Sequence, residues 1–134
     1  FLDLKLQDIP NTVAHALTVL SDLGADMMNV HAVGGKKMMA EAVKAVHEAA
    51  EAAGRPAPKL IAVTILTSMD DEQFADLNYN NTIAEQVISW LSWRRKQVWT
   101  VLLLLLRKLQ QSARLADLSF DCYPGRTSCG QLFG

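Results

Sequence analysis

The sequence predicts an α/β fold made of parallel strand–helix units. Three short, mostly apolar runs (Phe1–Leu6, Asp26–Ala32 and Lys59–Thr67) alternate with stretches of helical periodicity, and the connections between them are short. The last run, KLIAVTILT, is dominated by β-branched residues and reads as a buried strand. Three strands do not close a barrel, so the architecture is expected to be part of something larger.

The elements follow in order. In Phe1–Leu6, strict alternation puts Leu2, Leu4 and Leu6 on one face and Asp3 and Lys5 on the other. A carboxylate and an ammonium on a strand of a parallel sheet are costly unless they pair or work. Asp8-Ile9-Pro10-Asn11-Thr12 reads as a turn and helix start with Asn11 or Thr12 as the cap. Val13, Ala16, Leu17, Leu20 and Leu23 recur at helical spacing until Gly24. After the second strand, Gly34-Gly35 turns the chain into a long helix from about Lys36 to Ala53, ended by Gly54 and Pro56. Ser68 to Asp71 leads into a short helix through Leu77, and Thr82 to Ser89 begins another. His31, at a strand end, is read as a hydrogen-bonded core histidine ahead of the alternative that it approaches the site, while His15 and His47 are read as solvated. Met27, Met28, Met38 and Met39 are read as packing, Lys36-Lys37 as a solvated helix start, and Gly34-Gly35 as a helix entry rather than a phosphate loop.

Composition divides the chain near residue 89. Phe1–Ser89 holds 12 acidic and 6 basic residues, whereas Trp90–Gly134 holds 2 acidic and 7 basic. All three tryptophans and both cysteines, Cys122 and Cys129, fall in the second stretch. The net charge of −1 gives no pointer to nucleic acid or to an acidic substrate. Six residues between the cysteines fit no strong metal spacing, and a cysteine-free acidic part suits a reducing cytoplasm. The apolar run Val98–Leu106 is far shorter than the roughly 20 residues of a membrane span, so no membrane is expected as a partner.

The blocks FLDLKLQDIPNTV, DMMNVHAVGGKKMM and LIAVTILTSMD resemble the bacterial form of the orotidine-5'-monophosphate decarboxylase family, over Phe1 to about Ser89. DIPNTV and LTSMD separate it from the sugar-phosphate decarboxylases and hexulose-phosphate synthases that share an Asp-x-Lys-x-x-Asp pattern. Gln7 departs from the family, many members of which have histidine there. The resemblance implies a (β/α)8 barrel, of which residues 1–89 supply about three βα units, and residues 90–134 an irregular or helical tail. It implies conversion of orotidine monophosphate to UMP and carbon dioxide without metal or organic cofactor, in a cytoplasmic homodimer. Lys5 would protonate C6 of the pyrimidine, Asp3 would lie near the substrate carboxylate, and Asp8 would reach a partner's active site. Ile9 and Thr12 would line that neighbouring site, and Ser68 would contact the pyrimidine ring.

The resemblance ends at Ser89, and a change of reading frame accounts for the tail. Codons chosen for Tyr123–Gly130 read as TPGERPA one nucleotide later, similar to the family's phosphate-loop entrance. The same shift over Trp90–Arg114 permits LDGVV and SAQEA blocks, again similar to the family. Other active-site strands and phosphate loops of the family lie outside residues 1–89, so the 134-residue chain alone is expected to be inactive. Two alternatives stand beside this: a magnesium-using sugar-phosphate decarboxylase or synthase of the same superfamily, and a non-catalytic chain whose basic tail binds a membrane surface. Genomic reads across the codons for Ser89 and Trp90 are expected to expose the frame change; an unbroken frame encoding the present tail sinks it. The purified chain is expected to form no UMP in a decarboxylation assay, and detectable product would count against the inactivity.

Overall fold

The computed structural model of the protein describes residues 1–93. Its elements are β1 (Leu2–Leu6), α1 (Pro10–Ser21), β2 (Met27–His31), α2 (Gly35–Ala52), β3 (Lys59–Val63), α3 (Asp71–Ala75) and α4 (Ile83–Ser92). The strands form a three-stranded parallel sheet in the order β1-β2-β3, which is the α/β architecture expected from the sequence. Parallel strands share one direction, so the segments that follow β1, β2 and β3 all emerge at the same end of the sheet.

Pairing of β2 with β3 is regular from Met27–Lys59 to His31–Val63. Met28, Asn29 and Val30 on β2 and Leu60 to Val63 on β3 are buried, as a strand covered on both faces requires. Helices α1 and α2 pack against each other and contribute Val13, Leu17, Met38, Ala42 and Val46 to a continuous core with the sheet. The core extends through Phe74, Ile83, Val87 and Trp90. Met28, Met38 and Met39 are buried as expected, while Met27 is half-buried. Lys36 and Lys37 are exposed, and the Lys36 ammonium lies 5.0 Å from the centre of the Trp93 ring.

Local chemistry moves several boundaries. The N-cap of α1 is Ile9, without a side-chain bond, and Pro10 occupies the first turn, where its missing N–H costs nothing. Asn11 and Thr12 are exposed residues inside the helix and do not cap it. The helix ends at Ser21, so Leu23 lies in the following turn and is 69% exposed instead of joining the core. Gly24 closes that turn with φ +72°. Regular pairing of β3 stops at Val63; Thr64 and Ile65 stay buried, but Leu66 and Thr67 are exposed.

The chain enters α2 through a 3-10 turn, Ala32–Gly34, and through Gly35 at φ +87°, which confirms Gly34-Gly35 as a helix-entry turn. A Cβ at Gly34 would collide with the sulfur of fully buried Met38. Asp70 caps α3 by accepting from the Gln73 backbone N–H at 2.8 Å. Thr82 and Glu85 form a reciprocal capping box at the start of α4. Helix α4 continues past residue 89 to Ser92, and Trp90 is buried with its ring edge-on to Tyr79 at 6.2 Å. The expectations for the tail beyond Trp93, including the pentaleucine run Leu102–Leu106 and the frame change, lie outside the described residues.

Leu17 is fully buried where α1 meets the core. Leu17→Ala is expected to destabilise the chain by about 2–5 kcal/mol, checked by urea unfolding of both forms. A loss within error of zero would mean that α1 is not part of the cooperative core.

Candidate active site

The strand β1 does not keep the alternation its sequence suggests. Leu2 pairs with Met28 and Leu6 with Val30, so three residues, Asp3 to Lys5, span a gap that Asn29 alone spans on β2. The excess forms a bulge, and Lys5 takes a left-handed backbone conformation with φ +51°. Such a conformation costs a residue with a Cβ about 1–3 kcal/mol and persists only where the surroundings enforce it. Leu2 and Leu6 pack on the core, but Leu4 is 54% exposed, which departs from the expectation that all three leucines share one face.

Asn29 supplies the enforcement. It is 1% exposed in the middle of β2, and both ends of its amide are engaged. Its Oδ1 accepts from the Lys5 backbone N–H at 2.7 Å, and its Nδ2 donates to Asp3 Oδ1 at 2.5 Å. The Lys5 ammonium donates to the same Asp3 oxygen at 2.6 Å. Two donors, one of them charged, hold the Asp3 carboxyl below its ordinary range, with Lys5 the larger cause and Asn29 the next. Asn29 is not among the site residues expected from the sequence. Its one signal was a polar side chain between Met28 and Val30 in an otherwise apolar strand.

His31 ends β2 beside this cluster. It is half-buried, and its ring makes no hydrogen bond among the described residues, so the hydrogen-bonded core histidine expected from the sequence is not found. Burial pushes its pKa down, the Lys5 charge pushes the same way, and Asp3 opposes them. His15 and His47 are exposed, as expected.

Of the predicted site residues, the structure brings Asp3 and Lys5 into direct contact. Asp8, Ile9 and Thr12 lie just beyond the carboxyl end of β1, all exposed. Asp8 accepts from the Ile9 backbone N–H at 2.6 Å and makes no contact with Asp3 or Lys5 among the described residues. Ser68 is exposed on the segment after β3, at the same end of the sheet. Among the described residues, no three His, Cys, Asp or Glu side chains converge as a metal site would require. No described helix is long and apolar enough to cross a membrane.

Comparison with known proteins settles the family. The model of the orotidine 5'-phosphate decarboxylase / HUMPS family matches residues 1–98. The chain belongs to this family. A curated orotidine 5'-phosphate decarboxylase of Moorella thermoacetica is 53% identical over 91 residues, which are 67% of this chain and 36% of the relative. That of Pectobacterium atrosepticum is 55% identical over 86 residues, 64% of this chain and 33% of the relative. The chain thus spans about a third of the length of these relatives. The crystal structure of the Lactobacillus acidophilus orotidine 5'-phosphate decarboxylase superposes with a TM-score of 0.69 at 40% identity, covering 75% of this chain and 46% of that one. The three parallel strands and their helices form a partial barrel of about three βα units, and they superpose on less than half of that neighbour.

The depressed pKa of His31 has a consequence for stability. The unfolded chain takes up a proton near the ordinary value of 6.5, whereas the folded chain resists until a lower pH. Stability is therefore full above the unfolded value and falls as pH drops from there toward the folded one. Asp3, also depressed, loses its contribution only as pH falls below its ordinary 3.8, in a separate window. The thermal midpoint is expected to be lower at about pH 5.5 than at about pH 7.5, and His31→Gln is expected to shrink that difference. An equal difference in both proteins would show that His31 does not carry it.

Proposed function

We propose that the chain is the segment of an orotidine-5'-monophosphate decarboxylase that carries its proton donor, Lys5. The observation that carries this is the Asp3–Lys5 pair, 2.6 Å apart on a bulged strand of a parallel sheet, in a chain whose curated relatives bear that name. Active sites of such barrels gather at the carboxyl ends of the strands, and Lys5 is next to last in β1.

The geometry supports a definite division of labour. With the orotate carboxylate placed against Asp3, two negative charges face each other, and the cleavage of the C6–carboxylate bond relieves them. The electron pair of that bond stays on C6. The ammonium of Lys5, held by Asp3, stabilises the developing charge through a preorganised field and then gives C6 its proton. Carbon dioxide leaves, and UMP and a neutral lysine remain until solvent returns the proton. No described residue forms a covalent bond to substrate in this scheme.

The exposed group at the same end of the sheet completes the proposal. Asp8, Ile9 and Thr12 face outward and are assigned to the active site of a second copy in a homodimer, while Ser68 is assigned to the pyrimidine ring. The setting is cytoplasmic pyrimidine synthesis.

A chimaera tests the catalytic assignment. Residues 1–89 are placed in the Moorella thermoacetica decarboxylase in exchange for its matching segment, and UMP formation is measured. The chimaera is expected to turn over, and Lys5→Ala is expected to lower kcat by at least about 10²–10⁴-fold, the range of a positioned proton donor. Retention of most activity by the Lys5→Ala chimaera would remove Lys5 from the chemistry.

A further inference from the structure

Asp3 and Lys5 must be held in a fixed geometry to act together on the substrate. Asp3 is exposed, and Lys5 is a flexible side chain on a strand whose pairing is interrupted at that point. Neither condition favours a fixed geometry. We infer that Asn29 is the positioning residue of the array, acting on the reaction through Asp3 and Lys5 and not by touching substrate. The inference rests on the decarboxylase reading and adds to it a residue on a different strand.

The hydrogen bonds fix the orientation of the amide. Its oxygen faces the Lys5 N–H and its nitrogen faces a carboxylate; reversing it would set donor against donor and acceptor against acceptor. Each bond has a separate effect. The bond to the Lys5 N–H stabilises the left-handed backbone, which directs the lysine side chain back toward Asp3. The bond to Asp3 falls on Oδ1, the oxygen that Lys5 also uses. Asp3 Oδ2 has no partner among the described residues and is left to face an incoming carboxylate. Burial of Asn29 between Met28 and Val30 anchors these effects to the central strand instead of to a loop. Its donation also keeps Asp3 ionised, since the hydrogen bond favours the charged form.

Two substitutions separate these effects. Asn29→Ala removes both bonds, whereas Asn29→Asp keeps the acceptor for the Lys5 N–H but replaces the donor to Asp3 by a second carboxylate. In the 134-residue chain, hydrogen exchange of the Lys5 amide is expected to accelerate in Asn29→Ala and to remain slow in Asn29→Asp. In the chimaera, Asn29→Ala is expected to lower kcat by about 10²-fold with KM nearly unchanged, the effect of a misaligned group. Asn29→Asp is expected to move the acidic limb of the kcat profile to higher pH, because two adjacent carboxylates hold a proton between them. On an Asp3→Asn background, the further loss from Asn29→Ala is expected to shrink, because both changes act through one unit.

Unchanged Lys5 exchange in Asn29→Ala overturns the proposed geometry whether or not the chimaera is active. An active chimaera whose kcat and pH profile ignore both substitutions overturns the positioning role and leaves the decarboxylase reading standing. A chimaera with intact segment and no activity counts against the decarboxylase reading and, with it, the catalytic part of the inference; the exchange measurement still decides the geometric part.

Discussion

The amide of Asn29 is the interaction on which the described structure turns. Its two bonds to β1 fall inside the stretch where β1 departs from residue-by-residue pairing with β2, whereas β3 on the other side pairs regularly. Regular pairing would put Asp3 and Lys5 back into an extended strand and remove the left-handed kink at Lys5. One buried side chain thus converts a sheet edge that ordinary pairing would make uniform into a place where two charges meet. The local conformational cost at Lys5 is tolerated because a buried amide with both ends bonded leaves no cheaper arrangement: releasing Lys5 would strand a polar group in the core.

The rest of the molecule holds that middle strand still. β2 lies between its two neighbours, with Met28 and Val30 almost fully buried on either side of Asn29. Helices α1 and α2, packed on each other, cover it through Val13, Leu17, Met38 and Val46. Arg55 at the end of α2 reaches Asp22 at the end of α1 at 2.9 Å, tying the far ends of the two helices by a bond at the surface. A pair at the surface adds little energy. The weight of the fold falls on apolar burial, while the charged chemistry stays at the carboxyl ends of the strands.

Much of this was legible in the sequence, for physical reasons that can be named. Strands and helices were found because burial imposes periodicity, and Asp3 and Lys5 stood out because charge in an apolar strand needs compensation. The bulge was not legible. LDLKL alternates perfectly, and only the cross-strand partner shows that three residues are matched against one. Asn29 was hidden for the same reason, since its bonds reach 24 and 26 residues away and leave no local pattern. Helix α1 begins earlier than expected because Pro10 supplies the first-turn geometry itself, without the help of Asn11 or Thr12. Leu23 fits the helical period but follows the last helical residue, and periodicity alone does not say where a helix stops.

The contact between Gly34 and Met38 couples the entry of α2 to the core beneath it. Met38 is fully buried, and its sulfur fills the space that a side chain at residue 34 would need. The two positions draw on a single allotment of volume. A methyl group gained at 34 has room only if the Met38 thioether swings aside or residue 38 becomes smaller, so a change at one site is felt at the other. The helix entry and the core beneath it thus share one small volume, and the flexible thioether of Met38 is what sets how it is divided.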